Sequence, residues 1–186
     1  GSPAGTPSGT TSPGGPPDAP IGYEVAAVEA WIGAHVPALH PPLTWTRLEG
    51  GHSNLTYRIE DARGTRAVIR RPPMGVLLPK AHDMGREFAI ISALGPTPVP
   101  VPQALGYCED PSVTGAHFYV MQEIAGHPLY NADDARHWIA EDARTTLGHS
   151  FIDVLADLHS VDPDAVGLGN LGRKDDYIGR QLKTWY

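Results

Sequence analysis

Residues 43–71, LTWTRLEGGHSNLTYRIEDARGTRAVIRR, decide the fold. Apolar and polar side chains alternate through Leu55–Glu60 with the period of two that is typical of a half-buried strand. Strands are also predicted on either side, over Leu43–Glu49 and Thr65–Arg71. The glycine-rich turn Gly50–Asn54, which we call the glycine loop, and a second hairpin turn connect the three. The stretch therefore predicts a three-stranded antiparallel meander.

Periodicity also predicts the elements around the meander. They are a helix that ends at Pro37, a helix over His82–Leu94, strands over Gln103–Cys108 and His117–Glu123, and after Gly126 a long amphipathic helix that ends near Asp162 and a last helix over Tyr177–Tyr186. Strands that are segregated from helices in this way indicate an α+β fold with two lobes. We expect a disordered tail over 1–20, a sheet-containing lobe over 21–125, and over 126–186 the beginning of a truncated helical lobe.

The composition argues against several classes of protein. Residues 1–20 are mostly Gly, Pro, Ser and Thr, so burial cannot offset the entropy lost on ordering them. The net charge of −7 argues against general nucleic-acid binding. The single cysteine, Cys108, excludes an intrachain disulfide framework and fits a reducing, cytoplasmic setting. No apolar run is long enough to span a membrane, so neither a membrane nor a nucleic acid is an expected partner.

Three features of the sheet-containing lobe could act together. Backbone amides of the glycine loop could approach a phosphate closely, although an ordinary hairpin turn also fits the pattern. Val68 and Arg70 share one face of their strand, and Arg71 points to the other. Glu87 lies at the edge of the apolar stripe of the next helix, where a partly buried carboxylate calls for a cation, although a surface position is also open to it. The combination predicts contact between Arg70 and Glu87 at about 3 Å.

A series of short motifs occurs in order along residues 22–186. They are Gly50–Tyr57, Val68–Pro73, Leu77–His82, Arg86–Phe88, Pro98–Pro102, Phe118–Met121 with Gly126, and Leu158–Asp162. This series resembles the protein-kinase-like aminoglycoside phosphotransferase family, in the branch related to the kinase-like domain fused to some acyl-CoA dehydrogenases. The resemblance implies a kinase-like N-lobe, with a five-stranded antiparallel sheet and a helix, followed by the helical start of a C-lobe.

The resemblance also implies an ATP site in which each element has one task. The glycine loop would cover the phosphates, and Arg70, where such kinases usually carry Lys, would bind the α- and β-phosphates with Glu87 as its partner on the helix. Val68 would pack on the adenine, Met121 would lie behind it, and the backbone after Met121 would form the hinge that hydrogen-bonds the base. The implied ATP-binding residues are Gly50, Gly51, His52, Ser53, Asn54, Val68, Arg70, Glu87, Met121, Gln122, Glu123 and Ile124.

The chain departs from the family pattern in two places. Arg70 replaces Lys, and a planar guanidinium does not bind phosphate as a point charge does. A His-Gly-Asp-like catalytic loop, with its Asn and a second Asp for Mg²⁺, does not follow the long helix. His159–Asp162 matches the end of that helix, where packing and capping are the expected roles. We therefore expect no catalytic and no metal-binding residue within this chain, and no phosphotransferase activity from it alone.

The sequence leaves two functions open. The first is the ATP-binding part of a phosphotransferase that moves the γ-phosphoryl group, with Mg²⁺, to a hydroxyl of a small molecule, for which a hydroxyacyl thioester is one candidate by analogy. The alternative is a non-catalytic nucleotide-binding or protein-interaction module. In both, Phe151, Leu155 and Leu158 should be exposed or covered by self-association. The G-x-G-x-x-G pattern at Gly167–Gly172 follows a helix rather than a strand, so no dinucleotide site is expected there.

Overall fold

The computed structural model describes residues 19–48, 54–75, 82–172 and 175–185. Its elements are α1 (Val25–His35), β1 (Leu43–Arg47), β2 (Leu55–Asp61), β3 (Arg66–Arg71), α2 (Met84–Leu94), β4 (Ala104–Cys108), β5 (Phe118–Gln122), α3 (Ala132–Trp138), a 3-10 turn Glu141–Ala143, α4 (Arg144–Ser160) and α5 (Tyr177–Trp185). The predicted strands and helices are present, and the α+β architecture with a five-stranded antiparallel sheet is confirmed. Most of the tail expected over 1–20 lies outside the described residues.

Helix α3 and the 3-10 turn were not predicted. The sequence Ala-Asp-Asp-Ala-Arg-His-Trp of α3 has no apolar stripe, and the structure buries none of its residues. The helix instead begins with a capping box, in which Asn131 accepts from the backbone of Asp134 and Asp134 accepts from the backbone of Asn131. Local capping therefore marks this helix where hydrophobic periodicity does not.

The strand order β1-β2-β3-β5-β4 places β3 in the middle of the sheet. Directly paired residues point to the same side of a sheet, and β3 pairs with both β2 and β5. One face, which we call the cleft face, therefore carries Thr56, Arg58, Val68, Arg70, Tyr119 and Met121. Helix α2 packs against β4 and β5, so its first turn reaches the residues at the middle of this face.

The opposite face of the sheet packs on α1 and forms the core. The core includes Val28, Ile32, Ile59, Ala67, Ile69, Phe118 and Val120. Trp31 of α1 meets the Phe118 ring edge to face with centroids 5.1 Å apart. Each large aliphatic or aromatic side chain buried here stabilises the fold by about 1.5–3 kcal/mol. Packing against α1 therefore fixes the sheet from one side, and part of the opposite cleft face remains accessible.

Arg71 lies on the core side of β3 and is only 4% exposed. Its guanidinium donates to the carbonyl oxygens of Thr114, at 2.8 Å, and of Gly22, and it lies over the Tyr23 ring. Burial lowers the pKa of Arg71 from its usual value, but an arginine still remains charged at neutral pH. This residue therefore ties the segment before α1 and the loop before β5 to the C-terminal end of β3.

Helix α4 leaves its apolar residues exposed, as the sequence predicts. Phe151 is 67% exposed, and Leu155 and Leu158 are exposed as well. The described part of α4 has no buried residue at all. The exposed face of α4 is therefore a large apolar surface on the helical lobe.

None of the described helices combines the length and hydropathy needed to cross a membrane.

We predict that Arg71→Met lowers the free energy of unfolding by about 2–4 kcal/mol, because it leaves buried carbonyl groups without a charged donor. Chemical denaturation measures the loss. The matched control is Arg66→Met on the same strand, whose exposed ion pair with Glu60 should matter little. Equal stabilities of the two variants would contradict this assignment of Arg71.

We also predict that the chain self-associates as its concentration rises, through the exposed apolar face of α4. The double substitution Phe151→Ser and Leu155→Ser should shift the sedimentation profile toward the monomer. Met74→Ser, which removes another exposed apolar side chain, should leave the profile unchanged. A wild-type chain that remains monomeric at every concentration would show that α4 does not mediate association.

Candidate functional site

Arg70 on β3 and Glu87 in the first turn of α2 are in contact, as predicted. Arg70 Nε lies 3.3 Å from Glu87 Oε2, and the two side chains are 34% and 33% exposed. Asp83 caps α2 by accepting from the backbone N–H of Arg86 at 3.0 Å, which fixes where the helix begins. An ion pair this exposed contributes about 0–1 kcal/mol to stability. The main effect of this ion pair is to fix the position of the Arg70 guanidinium, and its contribution to the stability of the fold is small.

Three further side chains join this pair. Tyr119 donates its hydroxyl to Glu87 Oε2 at 2.9 Å. Arg70 carries only donors, so the Asn54 amide is oriented with Oδ1 toward it, 2.8 Å from Nε and 2.7 Å from Nη2. The Asn54 Nδ2 then donates to His82 Nδ1 at 2.7 Å. We call these five residues the Arg70 cluster.

The Arg70 cluster connects elements that lie far apart in the sequence. Arg70 lies on β3, Tyr119 on β5 and Glu87 on α2, whereas Asn54 is the last residue of the glycine loop and His82 lies two residues before α2. Gly50, Gly51, His52 and Ser53 lie outside the described residues, and Asn54 is the one member of the loop that the structure describes. Through Asn54, the end of the loop is bonded directly to the guanidinium of Arg70.

A cleft of about 450 Å³ lies beside the Arg70 cluster. It is lined by Leu48, Asn54, Thr56, Arg58, Val68, Arg70, Glu123, Ile124, Pro128 and Tyr130. Clefts of this size are typical of small-molecule sites in proteins. Its wall combines the apolar side chains of Val68 and Ile124 with the cation Arg70. The arrangement suits a molecule with an apolar ring and an anionic group.

The remaining predicted residues fall into different places. Met121 is on the cleft face but lines a neighbouring cavity of about 360 Å³, together with Arg70, Glu87 and Tyr119. The N–H of Gln122 donates to the carbonyl of Gln103 at 2.9 Å, so it belongs to the sheet. Of the three predicted hinge residues, Glu123 and Ile124 therefore remain candidates, and both line the cleft.

One ion pair in the cleft was missed by sequence reasoning. Arg58 Nε donates to Glu123 Oε1 at 2.6 Å, which ties the segment after β5 to β2. Tyr119 and His82 of the Arg70 cluster were missed as well. All depend on strand register or on a loop conformation, which sequence periodicity does not give. Strand parity with Met121 is the one signal that could have placed Tyr119 on the cleft face.

The fold and this site define a class of protein. A sheet whose third strand presents a cation to a carboxylate on the following helix, and which continues into a helical lobe, is typical of protein-kinase-like phosphotransferases. The model of the phosphotransferase enzyme family (APH) matches residues 44–186. The chain belongs to this family, as its motifs predicted.

Known relatives confirm the branch as well. Acyl-CoA dehydrogenase family member 11 of Rattus norvegicus is 34% identical over 168 residues, which cover 88% of this chain and 21% of that protein. Acyl-CoA dehydrogenase family member 10 of Mus musculus is 38% identical over 144 residues, covering 77% of this chain and 13% of the relative. The chain thus spans about a fifth or less of the length of these curated relatives.

A solved structure shares the fold. The crystal structure of a “putative aminoglycoside phosphotransferase” from Ralstonia eutropha superposes with a TM-score of 0.73 at 31% identity. The match covers 88% of this chain and 46% of that one. This similarity confirms the kinase-like fold of the described residues and supports a kinase-type enzyme.

Proposed function

We propose that this chain is the ATP-binding part of a phosphotransferase that transfers the γ-phosphoryl group of ATP to a hydroxyl of a small molecule. The observation that carries the proposal is the contact of Arg70 with Glu87 at the wall of a cleft that also has an apolar part. The family and the fold support the class of reaction. The position of the charged pair beside the cleft supports the choice of a nucleotide as the ligand.

The residues of the cleft fit ATP. Val68 offers apolar surface on which a purine ring can pack, and Glu123 and Ile124, whose backbone would bind the base edge, also line the cleft. Asn54 accepts from Nε and Nη2 of Arg70, and Glu87 pairs with Nε. Because a guanidinium carries five N–H donors, Arg70 can stay in the cluster and still donate to a phosphate.

The chemistry divides between binding and catalysis. ATP with Mg²⁺ supplies the phosphoryl group and the charge neutralisation in such reactions. Within the described residues no group of three or more His, Cys, Asp or Glu side chains could hold a metal ion. We assign to this chain the binding and orientation of ATP, and we propose none of its described residues as a Mg²⁺ ligand or general base.

The acceptor of the phosphoryl group is proposed by analogy with the relatives, because the residues of the cleft do not indicate it. The relatives are named as acyl-CoA dehydrogenases. A hydroxyacyl thioester is therefore the acceptor that we propose, because its hydroxyl could receive the phosphoryl group. The alternative function is a nucleotide-binding module without catalysis, which keeps the same ATP site but transfers no phosphoryl group.

We predict that the chain binds ATP and that Arg70→Ala weakens this binding about 10- to 100-fold, because a charged hydrogen bond to phosphate is lost. Glu87→Ala should weaken it less, by about 3- to 10-fold, since Glu87 acts by orienting Arg70. The double variant should bind ATP about as weakly as Arg70→Ala alone. Isothermal titration calorimetry measures all four affinities.

Arg66→Ala is the control for this experiment. Arg66 is an arginine of the same strand that is exposed and paired with Glu60, and it does not line the cleft. Its removal should leave ATP affinity unchanged. Additive losses in the double variant, or losses equal to that of the control, would contradict a phosphate-binding role for Arg70 and Glu87.

We predict that the purified 186-residue chain does not turn over ATP, because its sequence has no His-Gly-Asp-like catalytic loop with the Asn and the second Asp that bind Mg²⁺ in such kinases. A coupled ADP assay with a hydroxyacyl thioester as acceptor measures turnover. The Arg70→Ala variant, purified identically, reports the background from contaminating enzymes. Turnover that depends on Mg²⁺ and disappears in Arg70→Ala would show that the catalytic residues are present after all.

A further inference from the structure

We infer that Tyr119 is a positioning residue of the nucleotide site. Its hydroxyl holds Glu87 in place, and through Glu87 it fixes the direction in which Arg70 donates to phosphate. The inference rests on the proposed function, and it adds a third residue to a two-residue ion pair. Three observations support it. Tyr119 and Arg70 share one oxygen of Glu87, the sheet register places them opposite each other, and the phenol of Tyr119 is buried.

Tyr119 and Arg70 meet at a single atom of Glu87. Glu87 Oε2 accepts from Tyr119 Oη at 2.9 Å and lies 3.3 Å from Arg70 Nε. Tyr119 lies directly opposite Arg70 in the pairing of β5 with β3. The sheet therefore fixes the spacing of the two side chains, and the carboxylate on α2 bridges them. A carboxylate held by a hydrogen bond and an ion pair from a rigid sheet has less freedom than one held by a flexible arginine alone.

Burial distinguishes Tyr119 from its partners. Tyr119 is 3% exposed, whereas Arg70 and Glu87 are about one third exposed. Its ring lies against Phe88 of α2, with centroids 6.1 Å apart. Burial, together with the nearby Glu87 carboxylate, raises the pKa of Tyr119 well above its usual value, so the hydroxyl is a donor at neutral pH. Movement of α2 away from the sheet would leave this buried hydroxyl without its acceptor.

This geometry favours the position of Glu87 in which it contacts both Arg70 and Tyr119, before any nucleotide binds. An exposed ion pair alone holds its partners weakly. A buried hydroxyl that would lose its acceptor adds a cost to every other position of the carboxylate. The Arg70 side chain is therefore oriented before ATP binds, so the entropic cost of ordering it on binding is smaller.

The test compares a ligand that has phosphates with one that has none. Tyr119→Phe keeps the ring and removes the hydroxyl. It should weaken ATP binding about 3- to 10-fold, since Arg70 is less well held. Adenosine binding should stay unchanged, because adenosine does not contact Arg70. In the Glu87→Ala background, Tyr119→Phe should have no further effect on ATP affinity. Calorimetry gives the ratio of the ATP and adenosine affinities for each variant.

Tyr107→Phe is the matched control. Tyr107 lies opposite Tyr119 in the pairing of β4 with β5 and stacks on the same Phe88, with centroids 5.5 Å apart. Its hydroxyl, however, bonds to His117 at 2.8 Å instead of to the Arg70 cluster. Its loss should change neither affinity. A merely structural role for Tyr119 would lower the affinities for ATP and adenosine together, or lower neither, and either result would overturn the inference.

The same experiment separates this inference from the proposed function. If the wild-type chain binds ATP no better than adenosine, Arg70 does not bind phosphate and the proposed function fails. If the wild type prefers ATP and Tyr119→Phe keeps the full preference, only the role of Tyr119 fails. Hydrogen exchange of the Arg70 Nε–H by NMR gives a readout without nucleotide. Exchange should be faster in Tyr119→Phe, and an unchanged rate would contradict the positioning role.

Discussion

The contact between Arg70 and Glu87 is the interaction on which the site depends. Arg70 extends from the central strand of a sheet whose other face is buried against α1, so its backbone has little freedom. Glu87 comes from a helix that packs on the cleft face. The pair therefore joins the helix to the sheet at one charged contact, and the Asn54 amide extends the connection to the end of the glycine loop. A change in any of these three elements changes the direction of the guanidinium.

Two consecutive arginines on β3, Arg70 and Arg71, lie on opposite faces of the sheet and make different kinds of contact. Arg71 points toward the core side, where it is buried and donates to backbone carbonyls. Arg70 points to the cleft face, where it is partly exposed and paired with a carboxylate. The alternation of side chains along a strand places the two charges on opposite sides of the sheet. The buried arginine organises the segments around the sheet, and the partly exposed one remains available to a ligand.

Much of this arrangement could be predicted from the sequence because it depends on short-range patterns. The period of two in β2, the strand parity of Arg70 and the helical position of Glu87 were enough to predict their contact. The contacts that were missed depend on which residues face each other across strands. Tyr119 reaches Glu87, and Arg58 reaches Glu123, because of the registers of β5 and β2 against β3. Register follows from tertiary packing, which periodicity within one strand does not specify.

A crystal structure of the chain with a non-hydrolysable ATP analogue tests the central claim most directly. We predict a phosphate oxygen at hydrogen-bond distance, about 3 Å, from the Arg70 guanidinium, with Glu87 still paired to Arg70 and the adenine packed on Val68. A nucleotide bound elsewhere, or one in this cleft whose phosphates do not contact Arg70, would contradict it.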